Sequence, residues 1–411
     1  MLLRPLLTLF PLVLVMGLSA QPVAPPVPET RKADSLALTP PMGWNSWNVF
    51  RCDIDEEKVR AMADLLVSSG MRDAGYEYVI IDDCWQGERD EYGRLTADPA
   101  KFPGGIKALA DYVHARGLKF GIYSDAGYKT CGGYPGSRGY EFIDARTFAE
   151  WGVDYLKYDW CYAEEDQSAP ASYRLMRKAL LATGRPIVLS ICEWGSNEPW
   201  AWAQPVGHLW RTTVDIAECF DCEMNWGGLG VLQIIDRQEA LRLRHGPGGW
   251  NDPDMLQVGN DFLTPAEERT HFAMWAMLAA PLLAGHDLRS MTTATKELLT
   301  NPETIAIDQD PLGQSALKFV DYGDHEIWFR PLSGGDYALC LINRGETPWL
   351  VDEHWGGKGV FDLAAGRKWY PFTAGQPVRD VLGRRDLGRV TSRLRATVGA
   401  HDVLLLRVGG D

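Results

Sequence analysis

Charged and aromatic residues gather at one kind of place in this chain: just past short apolar runs. Trp44 and Trp47 follow the first run, in MGWNSW, and Asp82 and Asp83 close YEYVIIDD. Asp125 closes KFGIYSD, Lys157 and Asp159 close VDYLKYD, and Cys192, Glu193 and Trp194 follow PIVLS. Arg211 and Asp215 end LWRTTVD, and Asp252 and Asp254 lie in WNDPDML. A carboxylate at the end of a buried strand is costly unless it is paired or put to use. A salt bridge accounts for one such residue, Asp125 or Asp252 for instance, but not for acidic groups at six successive strand ends.

The mixture points to a polyhydroxylated ligand. Carboxylates, a lysine and an arginine give directional hydrogen bonds to hydroxyls, and tryptophan gives a flat apolar face. Clustered aspartates also bind metals, but no histidine accompanies these, and Lys157 and Arg211 oppose a cation in the same pocket. The expectation is a sugar site with no metal and no cofactor. Cleaving a glycosidic bond takes two carboxyl groups, held about 5–5.5 Å apart when one of them attacks carbon. Asp159 and Asp215 fall on the fourth and sixth strands, which face each other across a barrel mouth. Lys157 projects to the same side of its strand as Asp159, two residues on, and favours its ionised form.

These residues need a scaffold of alternating strands and helices. Glu56–Ser69 puts Val59, Met62, Ala63 and Leu66 on one helical face, and Gly70 ends it. Ile106, Leu109, Ala110 and Val113 mark the next helix. Others end near Trp151 and span Leu175–Leu181. Thr264, Pro265 and Glu267 form a capping box that opens a helix through Met277. With PLLAG as the last, eight strand candidates alternate with helices, predicting an α/β fold, a (β/α)8 barrel over residues 38–314. A doubly wound sheet is the alternative, but no G-x-G-x-x-G follows the first strand. From 315 to 411 the segments HEIWFRPL, DYALCLIN and HDVLLLRV read as a separate antiparallel β domain without catalytic residues. Core packing is the expected role of its Trp328, Trp349, Trp355 and Trp369.

The whole chain has 411 residues, a net charge of -14 and no Lys/Arg-rich run, which argues against a nucleic-acid partner. Residues 1–20 read as an export signal, with Arg4, an apolar run from Leu6 to Leu18 and small residues before Gln21. A Pro-rich linker is expected over 21–37, with no membrane span after cleavage, and a secreted or periplasmic location. Export permits disulfides among the eight cysteines. Cys219 and Cys222 form a C-x-x-C pair without the partners of a zinc site, and spacing leaves the connectivity open. No feature reports the oligomeric state.

The strings MGWNSWN, IDDCW, YLKYD followed by Cys161, CEWG, WRTTVD and WNDPDML occur in that order between Leu38 and Gly313. In this respect the chain resembles glycoside hydrolase family 27, the α-galactosidases (melibiases) and α-N-acetylgalactosaminidases. The resemblance implies a retaining exo-α-galactosidase with a barrel and a C-terminal antiparallel β-sandwich, acting on oligosaccharides, galactomannans or glycoconjugates. It makes Asp159 the nucleophile and Asp215 the acid/base. It gives Asp82 and Asp83 the galactose 4- and 6-hydroxyls, Lys157 and Arg211 further hydroxyls, and Trp44 the wall beneath the sugar. Tyr123, Asp254 and Met255 then line the pocket, and Cys192, Glu193 and Trp194 face the 2-hydroxyl. Cys52–Cys84 and Cys131–Cys161 correspond to family disulfides, and Cys340 is left as a buried thiol.

Within the family, an α-N-acetylgalactosaminidase needs space where this chain carries bulky Cys192–Trp194. A β-L-arabinopyranosidase has no 6-hydroxyl for Asp82–Asp83. A sugar-binding barrel without activity is disfavoured because both carboxylates are present. Two features depart from the pattern. Trp160 replaces an expected small residue after the nucleophile, on the leaving-group side, and the Cys219–Cys222 segment is unfamiliar.

Overall fold

A computed structural model describes residues 34–373 and 375–409. The expected export signal and most of the expected linker lie outside the described residues. Eight parallel strands form one curled sheet: β1 (Met42–Asn45), β2 (Tyr78–Ile80), β3 (Lys119–Asp125), β4 (Tyr155–Asp159), β5 (Val188–Ile191), β6 (Leu209–Arg211), β7 (Trp250–Asp252) and β8 (Leu282–Ala284). Sheet order follows chain order, and β8 returns to pair with β1. The seam between β7 and β8 has no ladder. A single parallel bridge, Leu256 to Ala284, closes it, with the Leu256 amide donating to Leu283 O at 2.8 Å.

The strands are largely apolar because both faces are covered, with most of their charged residues gathered towards their C-terminal ends. Tyr78, Ile80, Tyr155, Val188, Leu209, Trp250 and Leu283 fill the inside of the sheet. Alternate residues such as Val79, Phe120, Leu156 and Leu189 face the helices. The interior is so full that a β-carbon on Gly43 would come 2.5 Å from Tyr78 O.

The helix Glu56–Ser68 has the anticipated buried face, and the Asp55 carboxylate caps it by accepting from the Lys58 amide at 2.8 Å. Other helices span Gly105–His114, Glu141–Trp151, Ala169–Ala182 and Val231–Gln238. The helix Pro265–Leu278 opens on the Thr264–Glu267 capping box. Asp34 meets Arg177, and Ala37 O accepts from Trp250 Nε1 at 2.7 Å, so the last residues of the expected linker belong to the fold.

After β8 the chain builds a six-stranded antiparallel sheet and two further two-stranded pairs. Trp349, Trp355, Val351 and Phe372 pack in its core, Trp369 packs against that core, and Trp328 is buried towards the barrel. These tryptophans serve packing. The sheet covers the outer side of Pro265–Leu278. Arg330 is buried with its guanidinium on Ala276 O and Asp308 O, Thr270 donates to His401 O at 2.8 Å, and Ala316 N donates to Met277 O at 2.9 Å.

Candidate active site

The strands end at a cavity of about 380 Å³. Asp82, Asp83, Tyr123, Lys157, Asp159, Trp194, Arg211, Asp215, Asp254 and Met255 all line it. They come from six strand ends because parallel strands present all their C-terminal ends on one side.

Asp159, the last residue of β4, is almost completely buried. One carboxylate oxygen accepts from Tyr123 Oη at 2.9 Å, the other from the Trp160 amide at 3.0 Å. Burial raises its pKa above the ordinary aspartate value, Lys157 opposes this, and Asp215 adds to it. The Tyr123 hydroxyl is pushed well up by burial and by Asp159, so it stays a donor. Asp215, whose side chain is 48% exposed, lies past β6, and Arg211 Nη2 donates to it at 3.0 Å. The same nitrogen lies 2.8 Å from Asp254 Oδ2. Asp254 also accepts from the amides of Ile216 (2.8 Å) and Met255 (2.7 Å).

Opposite, Lys157 Nζ donates to Asp82 Oδ2 at 2.8 Å, and Asn45 donates to the same oxygen at 2.9 Å. Asp83 accepts from the amides of Cys84 (2.7 Å) and Gly132 (2.6 Å). Disulfides Cys52–Cys84 and Cys131–Cys161 tether the loops on this side, and the Cys131 sulfur is 3.5 Å from Asp159 Oδ2. A third bridge joins Cys219 to Cys222, while Cys192 and Cys340 are buried free thiols.

Three anticipated lining residues fall elsewhere. Trp44 lies within β1, points outward into the layer under the helices and donates its indole N–H to His286 O at 2.9 Å. Trp47, which opens the short helix after β1, lines the cavity in its place. Cys192 is buried behind the wall, with Arg211 Nη1 3.8 Å from its sulfur. Glu193 is fully buried, its carboxylate turned back to accept from the Asn197 amide (2.6 Å) and side chain (2.8 Å). Only Trp194 of that trio reaches the cavity. Asp125 and Asp252 stay beneath the cavity and hold backbone amides. Asp125 accepts from Gly127 at 2.6 Å and Cys161 at 2.9 Å, and Asp252 accepts from Asp254 at 2.9 Å. Trp160 stacks on Tyr173, with centroids 5.7 Å apart, and lines a neighbouring groove instead of the cavity.

The mouth contains residues that the sequence did not single out. Asn48, Arg51, Ile216, Ala217, Glu218, Met224, Trp226 and Gln257 form its rim and upper wall. Only the exposed tryptophan and the cysteine pair beside it offered a signal.

Of the five aspartates that line the cavity, Asp159 is almost buried and Asp215 is open to solvent, with hydrogen-bonding groups around them. The sequence profile of the family described as alpha galactosidase A matches residues 39–310, and that of the alpha galactosidase C-terminal beta sandwich domain matches 322–408. The chain belongs to the melibiase family, glycoside hydrolase family 27. Among relatives of this melibiase chain, alpha-galactosidase A of Cellvibrio japonicus is 55% identical over 92% of this chain and 94% of its own. An alpha-galactosidase of Cyamopsis tetragonoloba is 49% identical over 80% of this chain and 78% of its own. The crystal structure of alpha-galactosidase I from Mortierella vinacea superposes with a TM-score of 0.85 at 37% identity, covering 92% of this chain and 98% of that one.

Proposed function

We propose that the chain is a retaining exo-α-galactosidase that removes terminal α-D-galactosyl residues from oligosaccharides, galactomannans or glycoconjugates. The observation that carries this reading is the pairing of Asp159 and Asp215 in one cavity beside Asp82, Asp83 and Lys157. In the first displacement an Asp159 oxygen bonds to the sugar C1. The C1–O bond breaks with its electron pair going to the leaving oxygen, and Asp215 protonates that oxygen. In the second, Asp215 takes a proton from water, the water oxygen bonds to C1, and the Asp159 ester bond breaks. Two inversions leave the anomeric configuration retained.

Around the reacting pair, Asp82, Asp83 and Lys157 hold the hydroxyls remote from C1. Arg211 and Asp254 orient Asp215 and the near hydroxyl, and Trp47 gives the sugar an apolar face. Tyr123 holds the nucleophile by its hydrogen bond, and Lys157 favours the ionised carboxylate. The disulfides support a location outside the reducing cytoplasm, which agrees with an export signal at residues 1–20. Hydrolysis of p-nitrophenyl α-galactoside with α-galactose as the first product is the decisive test. An NMR time course in which β-galactose appears first would rule out double displacement.

A further inference from the structure

The rim beyond Asp215 has a structure of its own. The chain passes from Asp215 straight into a loop braced by the Cys219–Cys222 disulfide and returns to the helix Val231–Gln238. Within the loop, Met224 and Gly228 are joined by an amide-to-carbonyl bond of 2.8 Å, and Gly230 N donates to Cys222 O at 2.8 Å. Trp226 stands at the tip of this turn and is 62% exposed, yet its indole is seated. The ring lies against Gly228 so closely that any β-carbon there would overlap it. A braced loop thus presents a large flat ring to solvent at the mouth of the cavity.

We propose that this loop is a second saccharide subsite, in which Trp226 stacks on the sugar unit that leaves. The proposal rests on the hydrolase reading above and narrows its substrate class to galactosides of other sugars. The leaving oxygen has to come within hydrogen-bond reach of the group that protonates it. The leaving group therefore lies on the Asp215 side of the cavity, where this loop begins. The groups at Asp82, Asp83 and Lys157 are taken up by the galactosyl ring, so Trp226 is left for what is attached to it. On the same cavity wall as the indole, the exposed Arg51–Glu218 ion pair at 2.9 Å supplies donors and acceptors for hydroxyls. A flat ring together with such a pair matches the apolar face and hydroxyl edge of a pyranose. A lipid leaving group calls for an unbroken apolar strip, and this ion pair interrupts one.

The test compares α-galactosyl fluoride, whose leaving group is a single atom, with an α-galactosylated mannotriose. Trp226→Ala is expected to lower kcat/KM for the oligosaccharide roughly ten-fold, about 1.4 kcal/mol, while the fluoride stays within about two-fold. Gly228→Ala, which unseats the ring, is expected to give the same pattern. An unchanged kcat/KM for the oligosaccharide, or an equal fall for both substrates, would overturn the subsite. A wild-type enzyme inert towards both substrates would instead overturn the hydrolase reading itself.

Discussion

The Lys157 ammonium bonds to Asp82, two strands away, at 2.8 Å, although Asp159 is its neighbour along β4. A lysine on the same face as the nucleophile thus acts on it through its field and not through a hydrogen bond. Two functions are tied to one charge: holding the Asp82 carboxylate in place and favouring ionised Asp159. Lys157→Met should therefore remove both at once, and the pH profile and KM read them out separately. Asp159 attacks only when ionised, and burial already lifts its pKa. Without Lys157 that pKa rises further, so the acid limb of the kcat/KM profile should move to higher pH, and KM should also rise. A pH–rate profile of the variant superimposable on that of wild type would show that Lys157 does not govern the ionisation.

Asp159→Asn should abolish turnover while preserving the fold. Loss of a covalent nucleophile costs on the order of 6 kcal/mol or more, a factor of many thousand in kcat. Asp215→Ala should be milder with p-nitrophenyl galactoside than with a sugar leaving group, since an activated phenolate needs little protonation. Steady-state kinetics with both substrates, alongside circular dichroism, measures this.

Glu193 makes a different kind of prediction. Burial pushes its carboxyl up to about 7, above the 4.5 of an unfolded glutamate. Between these values the folded state binds the extra proton, so this group's contribution to stability falls as pH rises from about 4.5 to about 7. Glu193→Gln should therefore raise Tm relative to wild type at pH 8 and change it little at pH 4. Because the side chain is turned towards Asn197, Glu193→Ser should loosen that turn without admitting an N-acetyl group. Comparing kcat/KM for p-nitrophenyl α-galactoside and α-N-acetylgalactosaminide checks the second point. Efficient cleavage of the acetylated substrate by Glu193→Ser would return Glu193 to the cavity wall.

Reduction should affect the disulfides unequally. Cys52–Cys84 and Cys131–Cys161 close loops with sequence separations of 32 and 30, and each should contribute roughly 2–4 kcal/mol. Cys219–Cys222 spans a separation of 3 and should contribute less to global stability. Melting of single Cys→Ser variants, with mass mapping of the unreduced protein, measures the difference.

The strand-end carboxylates were legible in the sequence because each follows a short apolar run, while period-2 alternation, which put Lys157 on the side of Asp159, fixes direction only as long as a strand lasts. That rule fails where the strand stops. β1 ends at Asn45 and a helical turn begins at Trp47, so Trp44 faces the helices while Trp47 swings over the cavity. After Ile191 the chain turns sharply, with Trp194 at φ 57°, and spacing no longer tells which of Cys192, Glu193 and Trp194 looks inward. Asp125 and Asp252 carry the same strand-end signature as Asp159, and only the geometry reveals that they hold backbone amides. The rim escaped notice because a loop braced by a short disulfide has no period to read. The helix Pro265–Leu278 announced its start through its capping box, but its second half, Phe272–Leu278, is buried on every side and gave no amphipathic stripe.

That helix also bears on what can be cut away. Its inner side belongs to the barrel and its outer side to the C-terminal sheet, with Arg330 anchored on Ala276 O between them. A truncation ending near Gln314 would uncover a band of apolar residues and strand the carbonyls that Arg330 and Ala316 now satisfy. The smallest unit that can be expressed, evolved or transplanted is therefore the barrel together with its sheet, even though every group proposed for the chemistry lies in the barrel.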